Sequence, residues 1–178
     1  MQSFISFWNG LMCIAVFGGI LAIMKLIYAL ALPTDKLSKL IIGFVHKYIL
    51  WIGFGLSSAA LISSLIYSDV IGYPPCMFCW WARVMFYPQV ILFSRAIIKR
   101  DRSILPYAFI MTSLGLVIGI YHSIIQITGE GFVPCTVGGV SCVTRDVFMF
   151  GFITIPLMGA IGFAVLFLSL LISKRASK

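Results

Sequence analysis

SILPYAFIMTSLGLVIGIYHSIIQIT, residues 103–128, contains no Asp, Glu, Lys or Arg. A helix needs about 20 apolar residues to cross the hydrocarbon core of a bilayer, and this stretch exceeds that. Pro106 stands near its start, where a missing N–H costs a helix little. Moving outward, the same reading applies to 147–173 and to 48–68, both uncharged. A further segment runs from near Cys76 to about Ile98 with Arg83 and Arg95 inside it, closed by Lys99-Arg100-Asp101-Arg102. At the N-terminus, residues 1–24 carry no charge, and Lys25 interrupts an apolar run that ends near Leu32. Pro33 to Lys39 reads as a linker, Asp69 to Pro75 as a short turn, and Gly129 to Asp146 as a Gly-rich loop.

The whole composition agrees with that stretch. Of 178 residues, 61% are hydrophobic and 10% charged, with a mean hydropathy of +1.10. Such a chain cannot cover itself with polar surface, which excludes a soluble enzyme and a disordered chain alike. The expected fold is an all-α integral membrane protein with five spans and short loops. The net charge of +8 reads as topology and contact with membrane lipid, and no nucleic-acid partner is expected.

Lys and Arg fix the orientation. Lys25, Lys36, Lys39 and Lys47 flank the first linker, Arg95, Lys99, Arg100 and Arg102 the second, and Lys174, Arg175 and Lys178 form the tail. With these three regions on one side, only Arg83 and Arg145 remain for the other. The basic side is therefore expected to be cytoplasmic, the N-terminus outside and the C-terminus inside. Lys25 would snorkel to the inner surface. Two rivals exist for the first segment. One is a cleaved signal peptide ending at Ala29-Leu30-Ala31, which lacks the usual preceding positive residue. The other is a helix lying in the interface.

The cysteines number five: Cys13, Cys76, Cys79, Cys135 and Cys142. The topology puts the last four outside, where disulfides persist in bacteria. Cys76-Met77-Phe78-Cys79 is a C-x-x-C at the start of a helix, and a helix N-terminus favours the thiolate. Arg83 follows Cys79 by four residues and Cys76 by seven, so all three share a face. Its fixed charge favours a thiolate or an anionic oxygen beside it. Gly138-Gly139 lets Cys135 and Cys142 approach. Closing that loop of about 8 residues is worth only about 2.5 kcal/mol in the chain-entropy model, which suits an exchangeable bond. Structural disulfides and a four-cysteine zinc site are the bland alternatives. No metal is expected, because Arg83 beside a zinc thiolate centre is unfavourable. Cys13, in an apolar run, reads as a packed free thiol.

Cys76-Met77-Phe78-Cys79-Trp80-Trp81-Ala82-Arg83 resembles the C-x-x-C-W-Y-x-R signature of the DsbB/BdbC disulfide bond formation proteins. Tyr121-His122 resembles their Tyr-His element. Val133-Pro134-Cys135 with Cys142, followed by Gly151 to Pro156, resembles the second loop and last helix of the BdbC-like branch. The resemblance covers about 47–173. It implies a four-helix transmembrane bundle, here with one extra N-terminal transmembrane segment. Residues 1–45 would then hold that segment and a cytoplasmic linker, 46–173 the redox bundle, and 174–178 a cytoplasmic basic tail. It further implies that Cys76, Cys79, Cys135 and Cys142 are the catalytic cysteines, and that an extracytoplasmic DsbA-like thioredoxin-fold oxidase attacks at Cys135. Electrons would pass to a membrane quinone, ubiquinone or menaquinone, in the bacterial cytoplasmic (inner) membrane.

The quinone site is expected to use Arg83 for charge and His122 for a hydrogen bond or proton. Cys79 is expected to be the thiol nearest the quinone, being one turn from Arg83. Trp80, Trp81, Phe86 and Tyr87 could line its slot, although a Trp at the membrane edge ordinarily belongs to an aromatic belt. Pro88 and Pro156 are expected to kink spans, and Gly115 and Gly119 to pack helices closely. His46 is expected at the inner surface, away from the cysteines. A vitamin-K-epoxide-reductase-like quinone reductase and a non-catalytic scaffold with structural disulfides are the alternative functions.

Overall fold

The structure, a computed structural model, describes residues 2–129, 136–137 and 140–177. Its helices are α1 (Gln2–Ala31), α2 (Lys36–Leu65), α3 (Met77–Lys99), α4 (Leu105–Thr128) and α5 (Ile155–Ala176). A π-helical turn, Ile66–Val70, extends α2. Two short strands, β1 (Thr136–Val137) and β2 (Val140–Ser141), pair antiparallel with Thr136 opposite Ser141. The fold is an all-α membrane bundle.

Among the described residues, four helical stretches are long and apolar enough to cross a membrane: α1, α2 with its π turn, α4 and α5. By composition α3 falls short, because Arg83, Gln89, Arg95 and Lys99 lie within its 23 residues. At about 1.5 Å per residue its length is nevertheless that of a span, and it packs along both α2 and α4. The buried Gln89 is satisfied within the bundle. Its amide donates to the Met85 carbonyl at 2.8 Å, and Thr112 Oγ1 of α4 donates to Gln89 Oε1 at 3.1 Å. Polar pairs of this kind join helices where no water competes.

Three expectations about boundaries are corrected. The linker is shorter than 33–39, because Asp35 caps α2: its carboxylate accepts from the Leu37 N–H at 3.3 Å and from Tyr28 Oη at 3.0 Å. An N-cap that satisfies an orphan donor starts the helix there, so α2 runs unbroken through residues 45 and 46. The turn before Cys76 is also shorter, since the π turn carries helix to Val70; Gly72, at φ +88°, makes the reversal. Pro156 lies in the first turn of α5, where proline does not kink. Pro88 is inside α3 as expected.

The glycine pair packs as its spacing foretells. A Cβ on Gly115 would enter the Phe163 ring of α5, and one on Gly119 would lie 3.1 Å from the Ala160 Cα. One end of the bundle is basic. There the Arg102 guanidinium lies 2.9 Å from His46 Nε2 and donates to the His46 carbonyl, while His46 Nδ1 lies 3.3 Å from the Ser173 carbonyl. These contacts join α2, the α3–α4 turn and α5. His46 is thus a structural residue, remote from the cysteines. A core of Leu26, Val45, Ile49, Phe93, Leu166 and Leu170 fills this half. The opposite half holds the cysteine motifs, packed around Cys76, Phe78, Ile125 and Cys142.

Candidate redox site

Cys76 is the N-cap of α3, with extended backbone, and Cys79 lies in the first turn. Their sulfurs are 3.3 Å apart, with the Cys76 and Cys79 thiols both free. From α4, His122 Nε2 lies 3.5 Å from the Cys76 sulfur. Phe78 packs against the His122 and Tyr121 rings, at 5.6 and 5.3 Å between centroids, and helps exclude water from this contact. Hydrogen bonding with Cys79 and with His122 holds the Cys76 thiol well below its ordinary range, against the opposing effect of burial. Charge-favouring partners thus converge on Cys76.

Arg83 sits one turn beyond Cys79, as the spacing requires, and two of its three nitrogens are committed to Ser64. Nε donates to Ser64 Oγ at 2.8 Å and an Nη to the Ser64 carbonyl at 3.1 Å. The guanidinium also stacks on Trp80, 5.0 Å from its centroid. It is therefore a fixed charge tied to the end of α2.

A cavity of about 300 Å³ opens beside these groups. Cys76, Cys79, Arg83 and His122 line it, with Phe86 and Tyr87 further along α3. Phe86 is stacked on Phe163. The Tyr87 hydroxyl is buried without a hydrogen-bond partner among the described residues. Trp80 and Trp81 are about half exposed and outside the lining, which fits the aromatic belt and not a slot.

Cys142 is disulfide-bonded and buried in the same packed cluster as Cys76. Cys135 lies outside the described residues. The segment after Cys142 is anchored on the end of α4. Arg145 donates to the carbonyls of Gln126 and Ile127, and Gln126 Nε2 donates to the Thr144 carbonyl at 2.8 Å. A guanidinium at a helix C-terminus meets both orphan carbonyls and the negative end of the dipole. Cys13 packs in α1 as a buried free thiol, its sulfur 3.6 Å from Met149 Sδ.

Residues 46–173 match the family model described as "Disulfide bond formation protein DsbB". The chain belongs to the DsbB family. Among its relatives, a "SPbeta prophage-derived disulfide bond formation protein B" of Bacillus subtilis is 36% identical over 138 residues, 76% of this chain and 93% of that protein. A "Probable disulfide formation protein C 2" of Bacillus anthracis is 32% identical over 130 residues, covering 73% and 93%. A "Probable disulfide formation protein" of Oceanobacillus iheyensis is 38% identical over 123 residues, covering 67% and 84%. No solved structure matches the chain at a significant level. Membership in the DsbB family makes this chain part of the membrane machinery of disulfide bond formation, a thiol–disulfide oxidoreductase.

Phe86 and Tyr87, two of the four aromatic residues expected beside the slot, do line the cavity, whereas sequence reasoning passed over Ser64. Ser64 is an ordinary residue of an apolar run, and only packing reveals that it meets Arg83. Gln126 and Arg145 did leave a signal. One is a polar residue near the end of an uncharged span, the other a cation on the side with few.

Proposed function

We propose that this DsbB-family chain reoxidises an extracytoplasmic, DsbA-like thioredoxin-fold oxidase and delivers the electrons to a membrane quinone, ubiquinone or menaquinone. In this reading it sits in the bacterial cytoplasmic membrane with the cysteine end outside and the basic end inside. Residues 46–173 form the redox bundle, residues 1–45 precede it, and 174–178 are a cytoplasmic tail. The observation that carries the reading is the Cys76–Cys79–His122 cluster on a cavity that Arg83 and Tyr87 also line.

The relay works as follows. A partner thiolate attacks the disulfide between Cys135 and Cys142, by family resemblance at Cys135, and Cys142 leaves. The Cys142 thiolate then attacks the Cys76 sulfur of an oxidised C-x-x-C, expelling Cys79; common packing of Cys76 and Cys142 supports this choice. The partner's second thiol attacks its own sulfur in the mixed disulfide, so the partner leaves oxidised and Cys135 is freed as thiolate; Cys135 then attacks Cys142, and Cys76 leaves as thiolate. A thiol of low pKa leaves fastest, and the Cys79 and His122 contacts stabilise that leaving sulfur. Two electrons have moved inward and one disulfide outward. Cys142 in a disulfide with Cys76 and Cys79 as thiols is the distribution the relay has at that stage.

The cavity suits a quinone. Tyr87 lines it, and its hydroxyl is a buried donor lacking an acceptor among the described residues, a cost of about 1–3 kcal/mol that a carbonyl oxygen would remove if the ring turned its hydroxyl to the cavity. Arg83 supplies fixed positive charge, and Cys79, between Arg83 and Cys76, is the thiol facing the acceptor. When bound, the quinone supplies the two-electron sink that returns Cys76 and Cys79 to the disulfide. Purified protein mixed with a reduced thioredoxin-fold dithiol protein and quinone should oxidise the dithiol catalytically. Absence of turnover with every quinone tried would falsify the reading.

A further inference from the structure

Helix α1 lies outside the part of the chain that matches the family model, which begins at residue 46. It is nevertheless built into the redox half of the molecule. Asn9 Oδ1 accepts from Tyr67 Oη at 3.0 Å, and Met12 Sδ accepts from Ser63 Oγ at 3.5 Å. The Cys13 thiol meets Met149, on the segment leading into α5. Cys13 and Val16 are buried against Ile153, at 5% and 2% exposure. A Cβ on Gly19 would run into Ile161 of α5. Together these contacts hold α1 against both α2 and α5 along the outer half of the bundle.

The same stretch of α1 faces the cavity that contains the C-x-x-C pair. Met12, Ala15, Val16 and Gly19 line it, as do Cys79 and Arg83 of α3. Ala15 and Gly19 leave space, and Ala59 and Ala60 of α2 leave more. Apart from Met12, the lining that α1 contributes is small and wholly apolar. That chemistry suits a hydrocarbon chain and offers nothing to a quinone oxygen, which has Tyr87, Arg83 and His122 on other helices. At about 300 Å³, the cavity is at the small end of ligand pockets, so bulk added on one wall subtracts directly from what can enter.

We propose that α1 is the wall of the acceptor site that receives the quinone's isoprenoid tail, and that Ala15 and Val16 determine which tails the site admits. The inference rests on the reading of the cavity as a quinone site. It gives the N-terminal segment a function in acceptor specificity, distinct from anchoring.

The test uses the full-length protein, a reduced thioredoxin-fold dithiol protein as donor, and two quinones with the same ring, one short-tailed and one long-tailed. Ala15→Phe and Val16→Phe should each raise KM for the long-tailed quinone by about tenfold or more, as added bulk in an apolar pocket does. The short-tailed quinone should be affected less, so the ratio of the two kcat/KM values changes. Single-turnover exchange of the donor with the loop disulfide, which needs no quinone, should stay at the wild-type rate and reports that the protein is folded. Val16 is buried, and should Val16→Phe lose that exchange through misfolding, Ala15→Phe at the exposed edge of the helix decides. Wild-type KM values for both quinones in an exchange-competent Ala15→Phe protein would overturn the assignment of α1 while leaving the quinone reading intact. A wild-type protein inert to both quinones would remove that reading and this inference together.

Discussion

Cys76 is the residue on which the chemistry turns, because its sulfur meets both Cys79 and the His122 ring. The consequence is testable by pH. An unperturbed thiol titrates near pH 8.5, and the Cys79 and His122 contacts lower that of Cys76. In the reduced protein Cys76 should still be alkylated as the pH falls below that range, and mass spectrometry of the modified peptide would report it. His122→Ala removes one of those contacts, so the alkylation profile should move to higher pH. A depressed pKa stabilises the folded dithiol form above the unfolded value and loses that contribution as pH falls through the folded one. Measured against an ordinary dithiol couple, the C-x-x-C pair should therefore lose oxidising advantage as the pH falls. Arg83→Met should impair quinone use and leave donor exchange at the loop disulfide intact. It should also release Ser64, so some loss of stability is expected alongside. Tyr87→Phe deletes a buried hydroxyl without a partner among the described residues. It should leave thermal stability unchanged or raised and increase KM for quinone, a combination that a purely structural tyrosine would not give.

At the scale of elements, the segment from Cys142 to α5 matters most, because it sets where the loop sulfur rests. Arg145 and Gln126 clasp it to the end of α4, one turn beyond His122. Arg145→Met should cost about 1.5–3 kcal/mol, the range for hydrogen bonds to a charged group, read as a lower melting temperature. It should also slow passage of the disulfide between the two cysteine pairs while leaving the first attack by the donor unchanged, a split that stopped-flow mixing would resolve. Helix α3 shows the opposite economy. Its polar and charged residues take it below the hydropathy of a span, and the bundle compensates by pairing Gln89 with Thr112 and Arg83 with Ser64.

The molecule as a whole is polarised along the bundle, with a basic end closed by Arg102, His46 and Ser173 and a redox end around Cys76 and Cys142. A reporter fused after Arg102 should read cytoplasmic and one after Glu130 extracytoplasmic; the reverse would put the thiols in a reducing compartment and remove the basis of the relay. The two halves are joined where α4 and α5 pack most tightly, and Gly115→Ala forces a methyl into the Phe163 ring. Overpacking of that kind costs about 1–3 kcal/mol, and because Phe163 stacks on Phe86 at the cavity, the variant should lose quinone affinity as well as stability.

The five long helices, the all-α class and the closeness of Gly115 and Gly119 to a neighbouring helix were legible in the sequence, because the bilayer imposes length and apolarity on each segment separately; the polar residues of α3 take it outside that rule. The common face of Cys76, Cys79 and Arg83 was legible for a similar reason: helical periodicity is local. Membership in the DsbB family followed from motifs that are themselves short and contiguous. Tertiary structure alone decided that His122 meets Cys76, that two Arg83 nitrogens go to Ser64, and that Tyr87 lines a cavity while its hydroxyl is buried without a partner among the described residues. It also made α1 a wall of that cavity. Each of these depends on which helices become neighbours and how they are rotated about their axes. An apolar run carries almost no record of that rotation, since every face of a spanning helix is hydrophobic enough for lipid.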